Sequence, residues 1–149
     1  MTAARQPQAP QAFRGQAIGL PETGTGSLAA TGARLGAFVV DALASTLVAA
    51  LFVRSGGGSG KWSDHLPGSW SLIPLAVDYL LGCLLAGRTL GMYLFGLRLV
   101  RVDRPGSPLG PGRVVLRTFL LFLFVPAVVF DRDGRGMHDR FTDTAVVKA

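Results

Sequence analysis

Three ionisable side chains lie inside apolar stretches of the sequence: Asp41, Asp78 and Arg117. A charge near the centre of a membrane helix costs about 2.5 to 3.5 kcal/mol when it has no partner. Residues of this kind bind a cation, relay protons or join helices through ion pairs. The sequence leaves these alternatives open.

Arg34 precedes Asp41 by seven residues, so both lie on one face of a helix. At 1.5 Å per residue they are about 10 Å apart along the axis and cannot pair directly. Antiparallel helices would bring both residues, together with Asp78 and Arg117, into one half of the membrane. We therefore predict a polar cluster in which Asp41 pairs with Arg117 or with a bound cation. In the alternative, the arginines reach lipid headgroups and the carboxyls are protonated or hydrogen-bonded.

A second polar cluster occupies residues 131–140. Its Asp131-x-Asp133 pattern resembles the start of a calcium loop, but the further oxygen ligands and the closing glutamate are missing. His138 and Asp139 are neighbours in the chain, where side chains seldom contact each other, and no nucleophile is placed beside them. We interpret the cluster as a polar turn that caps the preceding apolar segment, and we expect no metal, no cofactor and no enzymatic activity.

The elements that position these side chains are three apolar segments, 35–53, 70–86 and 114–130. A bilayer core of about 30 Å takes roughly 20 apolar residues as a helix. The first segment has that length, and the second is short but sufficient. The third contains Arg117 and Pro126, so it either spans or re-enters. With 49% hydrophobic and 16% charged residues, the predicted fold is an all-α integral membrane protein with two transmembrane helices plus this third helix.

The rest of the chain divides into a tail and short strands. Residues 1–31 are rich in Gln, Pro, Ala, Gly and Thr, a composition that predicts a disordered tail ahead of a membrane domain over 32–149. Residues 97–102 alternate apolar and basic side chains and predict a short strand. Residues 144–147 form a second strand-like piece. If both lie on one side of the membrane, they can pair as a ribbon.

The positive charges predict the orientation in the membrane. Twelve of the 15 Lys and Arg residues lie in the N-terminal segment, the linker after the second apolar segment and the C-terminal tail, and two lie in the remaining loop. The positive-inside rule places the larger group, including the N-terminus, in the cytoplasm if the third segment re-enters. The sequence has no basic face with interleaved aromatic residues, the pattern that would indicate nucleic-acid binding. The lone cysteine, Cys83, is interpreted as a packing residue.

Several short motifs follow one another in a characteristic order. They are Arg34 with Asp41, Gly87-Arg88-Thr89-Leu90-Gly91, Gly96-Leu97-Arg98, Leu116-Arg117, and His138-Asp139-Arg140 ahead of Thr144. In this order and spacing they resemble the RDD family of bacterial membrane proteins, named for one arginine and two aspartates, and the upstream pieces resemble actinobacterial members. The resemblance implies signature roles for Arg34, Asp41 and Asp139, and structural roles for Gly87, Thr89, Gly91, His138 and Thr144. Asp78 matches no signature position, and Met92 stands where many members have lysine.

The resemblance also implies a function, since transport is suggested for the family and sodium/proton exchange is proposed for some members. We expect a multi-pass protein of the cell membrane that handles ions or small solutes. Two or three helices are too few to enclose a pathway, so the expected partners are the lipid bilayer and a second copy or another membrane protein. The alternative is an accessory or scaffold subunit that anchors a partner through its basic cytoplasmic surface.

Overall fold

One long apolar helix, several short helices and a two-stranded ribbon make up the fold. The structure, a computed structural model, describes residues 12–54, 70–123 and 135–149. A short 3₁₀ turn, Gln16–Ile18, precedes the first helix. The helices are α1 (Thr31–Arg54), α2 (Leu72–Val77), a π-helix (Asp78–Ala86), α3 (Leu90–Leu94), α4 (Pro111–Phe122) and α5 (Met137–Phe141), and the strands are β1 (Leu97–Arg101) and β2 (Thr144–Lys148).

Helix α1 contains the first predicted apolar segment. Over Thr31–Phe52 it is long and apolar enough to cross a membrane, and among the described residues it is the one helix that meets this test. Large apolar side chains on its outer face are exposed, with Leu47 at 68% and Phe52 at 76%. A soluble surface rarely presents a contiguous apolar face of this size. The outer face of α1 is therefore suited to contact with hydrocarbon.

The second predicted segment forms a shorter apolar helix, Leu72–Ala86. Its first part is α2, and from Asp78 onward the chain winds more widely as a π-helix, a form that is rare and frequent at functional sites. Gly87 ends the helix with a φ of 65°, in the left-handed region that favours glycine. A side chain at Gly82 would lie 2.7 Å from the Arg88 carbonyl oxygen, so glycine there lets the chain fold back directly into α3.

The predicted ribbon is present and brings distant segments together. Strands β1 and β2 pair antiparallel, from Leu97 opposite Lys148 to Arg101 opposite Thr144. The segment before α1 adds to the other edge of β2 through a bridge between Leu28 and Val147. The start of α1, the linker after the π-helix and the C-terminus therefore lie at one end of the molecule.

The folded unit begins earlier than the predicted boundary at residue 32. The Gly26 N–H donates to the Lys148 carbonyl at 2.9 Å, and the Ala29 N–H donates to the Val146 carbonyl at 3.0 Å. Ser27 and Ala29 are buried, because their small side chains fit against the ribbon. Backbone hydrogen bonds order this stretch, which composition alone does not reveal. Residues 1–11 of the predicted tail lie outside the described residues.

The third predicted segment begins as α4, with Pro111 in its first turn. Residues 124–130 lie outside the part of the chain that the structure describes, so the choice between spanning and re-entry falls on residues without a described position. From Arg135 onward, α5 packs against α4 and the chain then enters β2. Helix α5 therefore contacts both α4 and the ribbon.

A small core lies between the helices and the ribbon. Its buried members come from all described regions and include Ala29, Ala37, Cys83, Met92, Leu97, Leu99, Leu109, Val114 and Val146. Cys83 is 1% exposed and packs within this core. The core fixes the ribbon against α1, the π-helix and α4.

The ribbon register gives a direct test. Cysteines replacing Arg98 and Val147, which are directly opposite each other, should form a disulfide on mild oxidation in a Cys83→Ala background. Opposite Cα atoms in an antiparallel pair lie about 4.5 to 5.5 Å apart, within the range a disulfide needs. Gel mobility without reductant measures the cross-link.

The matched control places the second cysteine at Ala145 instead of Val147. This shift of two residues moves the second Cα atom about 6.8 Å along the strand, which places the two Cα atoms too far apart for a disulfide. Efficient cross-linking of the control pair, or none of the opposite pair, would contradict the register.

Candidate functional site

Asp41 is held by the first turn of α3. Its side chain is buried, with the residue 1% exposed. The Thr89 hydroxyl donates to Asp41 Oδ2 at 2.6 Å, and the Gly91 N–H donates to Asp41 Oδ1. Thr89 Oγ1 also accepts from the Met92 N–H at 3.2 Å as the N-cap of α3. Thr89 thus ties the start of α3 to the middle of α1.

This contact depends on a close approach between α1 and α3. A side-chain carbon at Gly91 would overlap the Ala37 carbonyl oxygen and lie 2.9 Å from Asp41 Oδ1. Gly36 directly precedes Ala37 on α1, and a side chain at Gly36 would lie 2.6 Å from the Phe95 ring. Glycine at both positions lets the two backbones meet. In the Gly-x-Thr-x-Gly motif, Thr89 therefore caps α3 and donates its hydroxyl to Asp41, and Gly91 leaves the space for this contact.

Asp78 lies beside Asp41 at the same place. The Leu90 N–H points at Asp78 Oδ1 at 3.4 Å, and Asp78 Oδ2 is buried without a hydrogen-bond partner among the described residues. The Asp78 carboxyl lies within electrostatic range of the Asp41 carboxyl. Two ionised carboxylates at such a range repel each other.

The predicted pairing of Asp41 with Arg117 is wrong. Arg117 Nε donates to Asp139 Oδ1 at 2.8 Å, and the side chains of this pair are 4% and 2% exposed. Asp78 likewise does not join Arg117 in an ion pair. The return of the chain through α5 supplies Arg117 with a carboxylate that sequence order places 22 residues away. The acidic partner of Arg117 therefore comes from the C-terminal region.

Asp139 also makes contacts that the polar turn predicted for residues 131–140 does not include. His138 Nε2 lies 3.4 Å from Asp139 Oδ1, so these two neighbours do contact each other on α5, contrary to expectation. Thr144 Oγ1 is 3.5 Å from the same oxygen. Burial disfavours the carboxylate, but the charges of Arg117, His138 and Arg34 outweigh it and hold the pKa of Asp139 below its usual value.

Arg34 belongs to this second cluster. Its Nη2 donates to the Val146 carbonyl at 3.2 Å, which fixes the start of α1 to β2. It lies within electrostatic range of Asp139 and Arg117. The three signature residues thus divide between two sites: Asp41 meets α3, whereas Arg34 and Asp139 meet beside the ribbon.

Sequence reasoning missed three features of these sites. The Thr-x-Gly pattern indicates that Thr89 can cap a helix. It does not indicate that Asp41 accepts the hydrogen bonds from Thr89 and Gly91. The approach of Asp78 to Asp41 requires the fold-back after Gly87. Arg135 is 8% exposed, and no local pattern indicates its burial. Among the described residues, no group of three or more His, Cys, Asp or Glu is arranged to hold a metal ion.

Comparison with known proteins places this arrangement in a family. The model of the RDD family matches residues 28–143, which is most of the chain. The matched region contains both polar sites, from Arg34 through Asp41 and the Gly-x-Thr-x-Gly motif to Asp139. No curated protein and no solved structure matches the chain at a significant level.

The contact between α1 and α3 predicts a strong effect of Gly91→Ala. The added methyl group overlaps the Ala37 carbonyl, so the helices must separate and Asp41 loses its donors. Overpacking of this kind costs about 1 to 3 kcal/mol or more in free energy of unfolding. Unfolding in mixed micelles measures the change.

The control is Gly32→Ala in the first turns of α1, where nothing lies within 4 Å of an added methyl group. It should leave the free energy of unfolding unchanged or slightly higher, because alanine favours the helix. Equal losses in the two variants would contradict the close approach at Gly91.

The buried ion pair predicts a second result. Asp139→Asn leaves the buried guanidinium of Arg117 without its counter-charge and should lower the free energy of unfolding by about 3 to 5 kcal/mol. Combining it with Arg117→Gln removes the uncompensated charge and should restore most of the loss. Unfolding in mixed micelles again gives the comparison, with Asp103→Asn at a more exposed pair as the control of little effect.

The same pair has a defined pH dependence. Because the folded pKa of Asp139 lies below the unfolded value of about 3.9, its contribution is complete above that pH and is lost as pH falls through the folded pKa. The stability difference between wild type and Asp139→Asn should shrink on acidification in that window. A difference that grows instead would contradict the assignment.

Proposed function

Because this chain belongs to the RDD family, whose members are associated with membranes, we propose that it handles a monovalent cation or protons at the carboxyl pair Asp41 and Asp78. The observation that carries this proposal is the meeting of two acids from different helices beside one another. Asp41 is buried, and one oxygen of Asp78 is buried without a partner among the described residues.

The chemistry of such a pair favours uptake of positive charge. Two adjacent carboxylates repel each other, and removal from water increases the cost of ionising both. A shared proton or a cation between the oxygens relieves that repulsion. The donors from Thr89 and Gly91 hold Asp41 in place, so Asp78 is the member that gains most from a proton or cation.

The position of the pair supports a role within the membrane. At 1.5 Å per residue, Asp41 lies about 15 Å along α1 from Thr31, near the middle of a bilayer core. The ribbon end holds the segment before α1 together with the C-terminus, and most basic residues lie in the segments that meet there. We propose that this end faces the cytoplasm, that the chain is multi-pass, and that the third segment re-enters.

The number of helices supports an assembly. Exposed apolar faces on α1 and α2 leave most of each helix in contact with lipid, so one copy does not enclose a pathway. We propose that the pathway forms between copies of this chain or with another membrane protein.

A second candidate function has its own support. Arg98 and Lys148 are exposed at the ribbon and give this end a basic surface. A surface of this kind suits an accessory or scaffold subunit that anchors an acidic partner at the membrane. In that role the chain itself moves no ions.

Ion flux distinguishes the two functions. Wild-type protein in liposomes with opposed Na⁺ and pH gradients should dissipate the gradients faster than empty liposomes. Asp41→Asn should reduce this rate at least about tenfold, because the amide neither takes up a proton nor balances a cation. Internal pH, read with an enclosed fluorescent dye, gives the rate.

The matched control is Asp143→Asn, the same change at a side chain that is 63% exposed and outside the pair. Its rate should stay within about twofold of wild type, since exposed charges are screened. Equal rates for Asp41→Asn and wild type would contradict the carboxyl pair as the site. Wild-type rates no greater than those of empty liposomes would contradict ion handling and favour the accessory role.

A further inference from the structure

A positively charged side chain lies on an exposed aromatic ring beside α3. The Arg88 guanidinium carbon is 4.6 Å from the centroid of the Tyr93 ring, within the range of a cation–π contact. Tyr93 is 59% exposed, so this contact lies on the outer surface. Within residues 12–54, 70–123 and 135–149, no carboxylate forms an ion pair with Arg88. Arg88 therefore has an aromatic contact but no counter-charge in this part of the chain.

The backbone fixes both members of this contact. Gly87 ends the π-helix in the left-handed region, and the Arg88 N–H donates to the Gly82 carbonyl at 3.2 Å. In the next turn, the Tyr93 N–H donates to the carbonyl of Thr89, the N-cap of α3, at 2.9 Å. The fold-back after the π-helix thus places the arginine one helical turn before the ring that it contacts.

The surface around the contact is apolar. Leu90, Tyr93 and Leu94 are exposed, and their spacing places them on one face of α3. Because the chain belongs to a family whose members are associated with membranes, this face is suited to lipid acyl chains. An arginine at the edge of such a face directs its charged end to the phosphates of the lipid headgroups.

The position of α3 along α1 places the contact near the membrane boundary. A side chain at Gly91 would overlap the Ala37 carbonyl, and one at Gly36 would meet the Phe95 ring. Tyr93 lies between Gly91 and Phe95 in the chain, so it is level with the first apolar residues of α1, on the side of the ribbon. Aromatic side chains are enriched at this level of a membrane protein.

We propose that Arg88 and Tyr93 form a binding site for the phosphate group of an anionic phospholipid, in the leaflet that the ribbon end faces. A guanidinium that stacks on a ring uses its flat face, and the N–H donors in its plane remain available to another ligand. Phosphate matches these donors in charge and in geometry. The exposed leucines of α3 contact the acyl chains of the same lipid.

This site goes beyond the proposed ion handling. Its ligand is an anion on the outer surface of α3, whereas Asp41 is buried between α1 and α3. Lipid binding can be absent while ion flux persists, and the reverse also holds. The two proposals can therefore fail separately.

Thermal unfolding of the purified full-length protein in dodecyl maltoside micelles tests the site. Phosphatidylglycerol replaces phosphatidylcholine at constant total lipid, so the fraction of anionic lipid is the one variable. Its binding to the folded state should raise the unfolding temperature above the value in phosphatidylcholine, with a measurable half-saturating fraction. Inorganic phosphate should not produce this rise, because it lacks acyl chains. An equal rise with inorganic phosphate would assign the site to free phosphate and overturn the lipid proposal.

Arg88→Gln should increase the half-saturating fraction at least about tenfold, because it removes charge-assisted hydrogen bonds to the phosphate. Arg98→Gln makes the same change at an exposed position of β1 and should alter this fraction by less than about twofold, as expected for a screened surface charge. Equal effects of the two variants would indicate attraction to the basic surface alone and overturn the proposal.

Tyr93→Leu tests the ring while it keeps an apolar side chain on the same face. It should increase the half-saturating fraction about threefold, because the guanidinium loses its cation–π contact. The matched control is Phe141→Leu, at an aromatic side chain of α5 that is also exposed, and it should leave the fraction unchanged. Equal fractions for Tyr93→Leu and wild type would overturn the role of the ring.

The half-saturating fraction is read from each variant's own titration, so a variant of lower stability does not mimic lost binding. If Arg88→Gln does not fold, Tyr93→Leu and its control decide the outcome. In phosphatidylcholine alone, Arg88→Gln should unfold at nearly the same temperature as wild type, because an exposed cation–π contact contributes little. A lower temperature there with an unchanged half-saturating fraction would assign Arg88 a structural role and overturn the proposal. A wild-type protein that phosphatidylglycerol stabilises no more than phosphatidylcholine would also overturn it.

Discussion

Charged side chains among apolar helices must find partners inside the protein, and this requirement shapes the whole molecule. Asp41 in the middle of α1 takes its donors from Thr89 and Gly91, about 50 residues later in the chain. Arg117 on α4 takes its carboxylate from Asp139 on α5. Each partnership joins segments that are distant in sequence. Since an unpaired charge at such a place costs several kcal/mol, these contacts fix the relative positions of the helices.

The polar contacts in turn depend on small residues. Asp41 reaches the first turn of α3 only because Gly91 has no side chain against the Ala37 carbonyl, and Gly36 leaves room for the Phe95 ring. Close backbone approach and hydrogen bonds therefore hold α1 and α3 together.

The ribbon explains why one family signature serves two sites. Strand β2 pairs with β1 on one edge and with the segment before α1 on the other, which draws the C-terminal region to the start of α1. Arg34 and Asp139 then meet beside the ribbon, while Asp41 remains deeper among the helices. The two polar sites therefore lie at different positions along α1.

The sequence by itself determined the class of protein, the first two apolar segments and the two strands. Apolar length, the alternating pattern of residues 97–102 and the ordered motifs act locally, so they can be read along the chain. The partners of Asp41 and Arg117, the approach of Asp78 and the burial of Arg135 were decided only by the tertiary structure. These depend on the fold-back after Gly87 and on the pairing of β2, which bring together residues that no periodicity connects. By charge alone, Asp41 could pair with Arg117 or with any other cation. Only the path of the chain selects between them.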